Sequence, residues 1–152
     1  MLALLFLLLM TTTALGADLP QQVRGSATVV DGDGLWVTDK TVGRKEIRLF
    51  GIDAPEVHEG QLGRTARSAM EQLVDKREVT CAVRTIDRYK RLIAVCTAEG
   101  VDLGAAMLEA GQAATYRRYL IGSELEEPYL AAERRAQAGH LGIWATQWRP
   151  AP

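Results

Sequence analysis

Soft-metal ligands are scarce in this chain. Its 152 residues include two histidines and two cysteines, and Cys81 and Cys96 have no histidine pair beside them. A zinc site draws four such groups from short spacings, so none is expected here. Positive charge is not in surplus either. Lysine and arginine number 18 against 19 aspartates and glutamates, a formal charge of −1, so a nucleic-acid partner would have to meet a local basic cluster rather than a global field. No apolar run reaches the roughly 20 residues that cross a bilayer comfortably. Internal repeats, low-complexity tracts and domain linkers are also missing, and the length is that of one domain with a real core.

What is present begins with a short apolar stretch, "MLALLFLLLM", followed by "TTTALGADLP" with small residues at Ala14 and Gly16. Residues 1–16 read as a secretory signal cleaved after Gly16; the basic n-region is missing, so an uncleaved membrane anchor is the alternative. Residues 17–26 then form a short lead-in, 27–145 the folded domain and 146–152 a C-terminal tail. The expected location is extracytoplasmic, secreted or periplasmic. Cys81 lies six residues before Asp87 and Cys96 six after Lys90, so a hairpin turning between Arg88 and Tyr89 sets them opposite each other. An oxidising compartment favours a disulfide between them; two buried thiols are the alternative.

Strands come first and helices later. Ala27–Val30, Leu35–Thr38 and Lys45–Ile52 read as short strands, and Leu62–Val74 carries apolar residues at helical spacing. The cysteine hairpin follows, Glu78–Arg84 with Arg91–Ala98. A short helix starts at an Asp102 cap and stops at Gly111 in left-handed geometry. A last helix spans Glu124–Ala138, with Ser123 and Glu126 at capping-box spacing, Pro128 in its first turn and Gly139 at its end. Trp144 and Trp148 read as a packing lid. Five short strands with helices inserted and appended predict an α+β, mainly β fold: a small five-stranded barrel of OB type.

Three clusters carry chemistry: "VVDGDG" with Asp31 and Asp33, "IRLFGIDAPE" with Arg48, Asp53 and Glu56, and "DRYKR" from Asp87 to Arg91. An EF-hand loop starting at Asp31 would need glycine at 36 and glutamate at 42; Trp36 and Val42 stand there. A hard cation at Asp31 or Asp33 would therefore draw further oxygens from elsewhere, with Asp53 and Glu56 the candidates. Arg48 and Arg91 converging on such a centre would suit phosphodiester cleavage, because forked guanidiniums neutralise phosphate oxygens and the extra transition-state charge. The structural alternative pairs Arg48 with Asp53 and Arg91 with Asp87. Arg84, Arg88, Lys90, Arg91, Arg117 and Arg118 form the densest basic set, suited to a nucleic-acid backbone. His58 and His140 read as solvated or capping groups.

"VVDGDG", "IRLFGIDAPE", "DRYKRLIAV", "LEAGQAATYRRY" and "GHLGIW", in this order and spacing, resemble the staphylococcal nuclease family from about Ala27 to Trp144. The resemblance implies a five-stranded OB barrel with three helices. It also implies Ca²⁺ held by Asp33, Asp53 and the backbone carbonyl of Ala54, with Asp31 supporting the ligands. Glu56 would hold or activate the attacking water, and Arg48 and Arg91 would bind the scissile phosphate. Arg88 and Tyr89 would contact the nucleotide, and Tyr116 or Tyr119 would stack a base. Three positions depart from the family: Gly34 replaces a hydroxyl residue, Ala54 a threonine and Lys90 a glycine. Gly34 removes a hydrogen bond and loosens the turn, whereas Lys90 adds charge where positive φ is favoured. The expected activity is Ca²⁺-dependent hydrolysis of DNA and RNA, preferring single-stranded or flexible regions and leaving 3′-phosphates. A monomer without an obligate protein partner is expected. The alternative is a catalytically weakened nucleic-acid-binding or protein-interaction module on the same barrel.

Overall fold

The computed structural model describes residues 18–151; the expected leader and its cleavage point lie outside the described residues. In chain order the elements are β1 (Gln22–Val29), β2 (Gly34–Asp39), β3 (Gly43–Leu49), β4 (Ile52–Asp53) and α1 (Gln61–Val74). Then come β5 (Glu78–Ile86), β6 (Leu92–Ala98), β7 (Val101–Asp102), α2 (Leu103–Glu109), β8 (Ala114–Thr115), α3 (Arg117–Leu120) and α4 (Glu126–Ala138). The strands β1, β2 and β3 form an antiparallel meander, β5 adds to the free side of β1, and β6 pairs with β5. A parallel pairing of β3 with β6, Ile47 opposite Leu92, closes the five strands into a barrel. Three helices longer than one turn pack on it, with α3 as an additional single turn.

Alternation explains the barrel interior. Leu35 and Val37 of β2, Ile47 and Leu49 of β3 and Val23 of β1 point inward, while Arg24, Thr28 and Thr38 face out. Met70 of α1 and Leu103, Met107 and Leu108 of α2 are also fully buried. Each such side chain contributes about 1.5–3 kcal/mol relative to exposure.

The first strand starts at Gln22, inside the 17–26 segment read as a lead-in, and ends at Val29. Its first half hides among polar residues, since only Val23 there is an inward aliphatic, and Gly25 interrupts the pattern for steric reasons: an added Cβ would sit 1.8 Å from the Thr38 carbonyl oxygen. The strand expected over Lys45–Ile52 is two strands. Its ladder stops at Leu49, the Phe50 N–H turns to Ala94 O (2.8 Å), and Gly51 takes φ +72° before β4 pairs with β8.

The helix ends show which local signals prevailed. Asp102 caps α2 by accepting from Ala105 N (3.0 Å), and Gly111 follows it at φ +65°. The capping box forecast for the last helix does not form. The Ser123 hydroxyl donates to Leu120 O (2.7 Å) and the Glu126 carboxylate accepts from Gly122 N (2.7 Å), so both serve the preceding turn. Pro128 sits at the third residue of α4, where no helical donor is lost. Gly139 ends α4 in right-handed geometry, and the left-handed residue is His140 at φ +50°.

Cys81 and Cys96 are direct cross-strand partners and form a buried disulfide. Joining residues 15 apart restricts the unfolded chain by about 3 kcal/mol. The double variant Cys81→Ala/Cys96→Ala should therefore lose about 2–4 kcal/mol in urea unfolding under oxidising conditions. Parent and variant should converge in reductant; an unchanged midpoint for the variant would show that the bridge carries no stability.

Candidate functional site

The Asp-Gly-Asp-Gly segment joins β1 to β2, and its glycines serve close approach. Neither has positive φ. A Cβ on Gly32 would lie 2.7 Å from the Ala54 Cβ and 2.8 Å from the Ala66 Cβ, so the loop is pressed onto the start of the β4–α1 connection and onto α1. A Cβ on Gly34 would lie 2.8 Å from Asp31 Oδ1. That same oxygen accepts the Asp33 N–H (3.1 Å), so the Asp31 carboxylate fills the space a side chain at position 34 would take.

Asp33 is buried. Its Oδ2 accepts the Ala54 N–H (2.8 Å), and its Oδ1 is ion-paired with Arg48 Nη1. The other terminal nitrogen of Arg48 donates to Asp53 Oδ1 (3.1 Å) and to Ile52 O (3.3 Å). Arg48 is thus the shared partner of both aspartates. Burial pulls its pKa down, but the attraction of Asp33 and Asp53 holds it above its ordinary value. Burial pushes the Asp33 carboxyl up to about 7 against the pull of Arg48, and the charge of Asp31 adds to the rise. Glu56 is likewise raised, by burial and then by Asp31. Its loop rests on α1 because Gly63 carries no Cβ, which would meet the Glu56 carbonyl oxygen at 1.8 Å.

Arg91 is set by the turn before it. Asp87 accepts from Arg91 Nε (2.8 Å), from Arg91 N (2.9 Å) and from Tyr89 N (2.9 Å). Burial raises the Asp87 pKa, but hydrogen bonds from Arg91 outweigh it and hold the carboxylate ionised. Lys90 takes φ +65°, so the turn keeps its left-handed residue without glycine. The Arg88 and Arg91 guanidiniums lie 4.7 and 5.5 Å from the Tyr89 ring centre, and Arg88 Nη2 donates to the Tyr89 hydroxyl (2.6 Å).

A cleft of about 430 Å³ gathers Arg48, Asp53, Arg88, Tyr89, Arg91, Tyr116 and Tyr119 on its wall. The sequence left the choice between Tyr116 and Tyr119 open; both face the cleft, their ring centres 5.3 Å apart and tilted by 43°. The Tyr116 N–H is held by Gly51 O (2.8 Å), which ties this aromatic wall to the break between β3 and β4. Asp31, Asp33, Ala54 and Glu56 are not on the wall; Asp33 reaches it through Arg48. The structural alternative also has its geometry, since Arg48 pairs with Asp53 and Arg91 with Asp87. Arg91 does so through Nε, which leaves its terminal nitrogens for a ligand.

Among the described residues no three His, Cys, Asp or Glu side chains form a ready metal cluster. Asp33 and Asp53, with the Ala54 carbonyl, offer oxygen only, the donor type a hard cation takes, and Arg48 occupies one oxygen of each aspartate. One contact had no counterpart in the sequence reading. The tail returns to the site, where the Ala151 N–H donates to Asp53 Oδ2 (2.8 Å) and Ala151 lines the cleft. No spacing or motif in "QWRPAP" signals it.

The closed five-stranded barrel is of the OB class, and the family whose model its sequence matches is one of nucleases, which act on nucleic acid. The chain belongs to the staphylococcal nuclease family: residues 46–146 match the family model described as "Staphylococcal nuclease homologue". An "Uncharacterized endonuclease" of Haemophilus influenzae is 31% identical over 128 residues, covering 80% of this chain and 69% of the relative. A "Micrococcal nuclease" of Shigella flexneri is 30% identical over 128 residues, with 77% and 70% covered. A longer fungal relative, the "Probable endonuclease LCL3" of Colletotrichum graminicola, is 36% identical over 110 residues; the match spans 64% of this chain and 40% of that protein.

Replacing Arg48 by alanine would leave Asp33 buried beside Asp31 with no counter-charge. In chelator, Arg48→Ala should lower the unfolding free energy by about 3–5 kcal/mol in urea titration. An unshifted midpoint would show that the bridge does not hold the site together.

Proposed function

We propose that this nuclease is an exported, Ca²⁺-dependent phosphodiesterase that cuts DNA and RNA with little sequence preference. One observation carries the reading: four arginines, Arg48 and Arg91 among them, meet Asp53 and three tyrosines in a single cleft of nucleotide size. Arg48 and Arg91 grip the non-bridging oxygens of the scissile phosphate and bear the charge that grows as a fifth oxygen adds. Glu56, its proton affinity raised, holds the attacking water and takes its proton. The water enters in line with the departing 5′-oxygen, which takes a proton from solvent and leaves as the 5′-hydroxyl, the other product being a 3′-phosphate. Ca²⁺ held by Asp33, Asp53 and the Ala54 carbonyl would supply Lewis-acid stabilisation of phosphate charge. Tyr89, Tyr116 and Tyr119 offer faces for unpaired bases, which favours single strands and flexible regions as substrate. Asp31 acts indirectly, by shaping the loop that presents Asp33.

Export rests on the apolar leader and on the Cys81–Cys96 bridge, which an oxidising compartment preserves. A monomer with no obligate protein partner completes the proposal. A second reading has its own support. All four carboxylate oxygens of Asp33 and Asp53 are engaged, by Arg48, Ala54 N and Ala151 N, as in a barrel that binds nucleic acid with weakened catalysis.

Activity separates the two. The purified chain should cleave single-stranded DNA and RNA with Ca²⁺ and lose that activity in chelator. Arg91→Ala should reduce turnover by about 10²–10³-fold, the usual loss of one preorganised charge donor. Folded protein, verified by circular dichroism, that binds oligonucleotide but does not cut it with Ca²⁺ would select the second reading.

A further inference from the structure

Beside the catalytic cleft lies a second one, of about 310 Å³, between α4, the Thr115–Arg118 segment and the tail. The two share Tyr116, Arg118 and Ala151, so they are neighbouring compartments of one groove. Arg117 and Gln137 line only the second.

Its electrostatics favour a phosphate-bearing ligand despite a buried acid. Glu133 lines the compartment, but its oxygens are taken by the Thr115 N–H (2.7 Å) and the Thr115 hydroxyl (3.0 and 3.1 Å). Arg117 stands 3.9 Å from Glu133, beyond hydrogen-bond distance, with its side chain 67% exposed, so its donors stay open to a ligand. The buried Trp144 indole N–H has no acceptor among the described residues, and another edge of Trp144 lines the same compartment. Guanidinium and amide donors around a space this size match a nucleotide: phosphate oxygens for Arg117 and Arg118, base or sugar acceptors for Gln137.

We propose that this second compartment is a nucleotide subsite, which binds the nucleotide beyond the two that the scissile phosphate joins and makes the enzyme prefer strands longer than a dinucleotide. The inference rests on the nuclease reading above. Arg118, facing both compartments, serves ligands of every length; Arg117 serves only the longer ones.

Fluorescence anisotropy with labelled thymidylate di- and tetranucleotides, in chelator so that nothing is cut, tests this directly. The native chain should bind the tetranucleotide about tenfold or more tightly than the dinucleotide, the gain expected of one added phosphate or base contact. Arg117→Ala should erase that gain while leaving dinucleotide affinity and melting temperature unchanged. It should also reduce the salt dependence of tetranucleotide binding by about 0.7 in slope, one phosphate contact on a single strand. Gln137→Ala, an exposed position on α4, should weaken the tetranucleotide alone and stands in if the Arg117 variant fails to fold. Arg118→Ala should weaken both ligands. Equal affinity for the two lengths, or equal losses for both in the Arg117 variant, would overturn the subsite while leaving the nuclease reading intact. No binding of either length, together with no Ca²⁺-dependent cleavage, would overturn both.

Discussion

Arg48 is the joint on which the site is assembled. It projects from β3, directly opposite Gly34 of β2, and its two terminal nitrogens reach Asp33 at the entrance of β2 and Asp53 in β4. A guanidinium can do this because its donors form a rigid fork; an ammonium would serve one carboxylate well and the other poorly. Taking such charges out of water is expensive, and the cost is recovered only where the remaining valences are satisfied. Here they are. The Ala54 and Ala151 amides take the outer oxygens, and Ile52 O takes a further donor of Arg48. Position 34 follows from the same constraint. With the Asp31 carboxylate 2.8 Å from where a Cβ would be, glycine lets Asp31 fold over the Asp33 amide.

The barrel supplies what Arg48 needs. Parallel pairing of β3 with β6, Arg48 opposite Ile93, closes the barrel at the residue that carries the charge and brings the Asp87–Arg91 turn to the same rim. Leu49 N–H bonds to Asp33 O (2.8 Å), so the loop is anchored by main chain as well as by charge. The fourth wall comes from Thr115 and Glu133: the buried carboxylate holds β8 through the Thr115 amide and hydroxyl, and Tyr116 follows at once. Glu133 lies far from the chemistry in sequence, yet it fixes where the aromatic wall begins.

Much of this was legible in the residues. Alternation in β2 and β3, helical spacing in α1 and the cysteine symmetry about the turn located the barrel and its bridge, because each is a local pattern with a fixed period. The family motifs then named the cleft residues, and Arg48, Asp53, Arg88, Tyr89, Arg91 and both tyrosines do share one wall. What escaped was set by distant contacts. The first half of β1 looks polar because Gly25 must make way for Thr38 O, a demand placed by another strand. The capping box failed because Ser123 and Glu126 were both claimed by the turn after α3. A spacing rule sees which partners are near in sequence, not which have been taken.

The Ala151 contact shows how a site can be completed by a segment without a motif. Trp148 Nε1 reaches Glu59 (3.4 Å), and the chain then crosses between the two compartments to place one amide on Asp53 Oδ2. That amide satisfies an oxygen beside Arg48 that would otherwise face the cleft. A hydrogen bond to a charged group contributes about 1.5–3 kcal/mol. The tail's other side-chain anchor, Trp148 on Glu59, lies at the surface, so the barrel core does not depend on the tail. The same amide stands where the two compartments meet, so a strand long enough to occupy both must pass the point at which the tail is held by a single bond to Asp53.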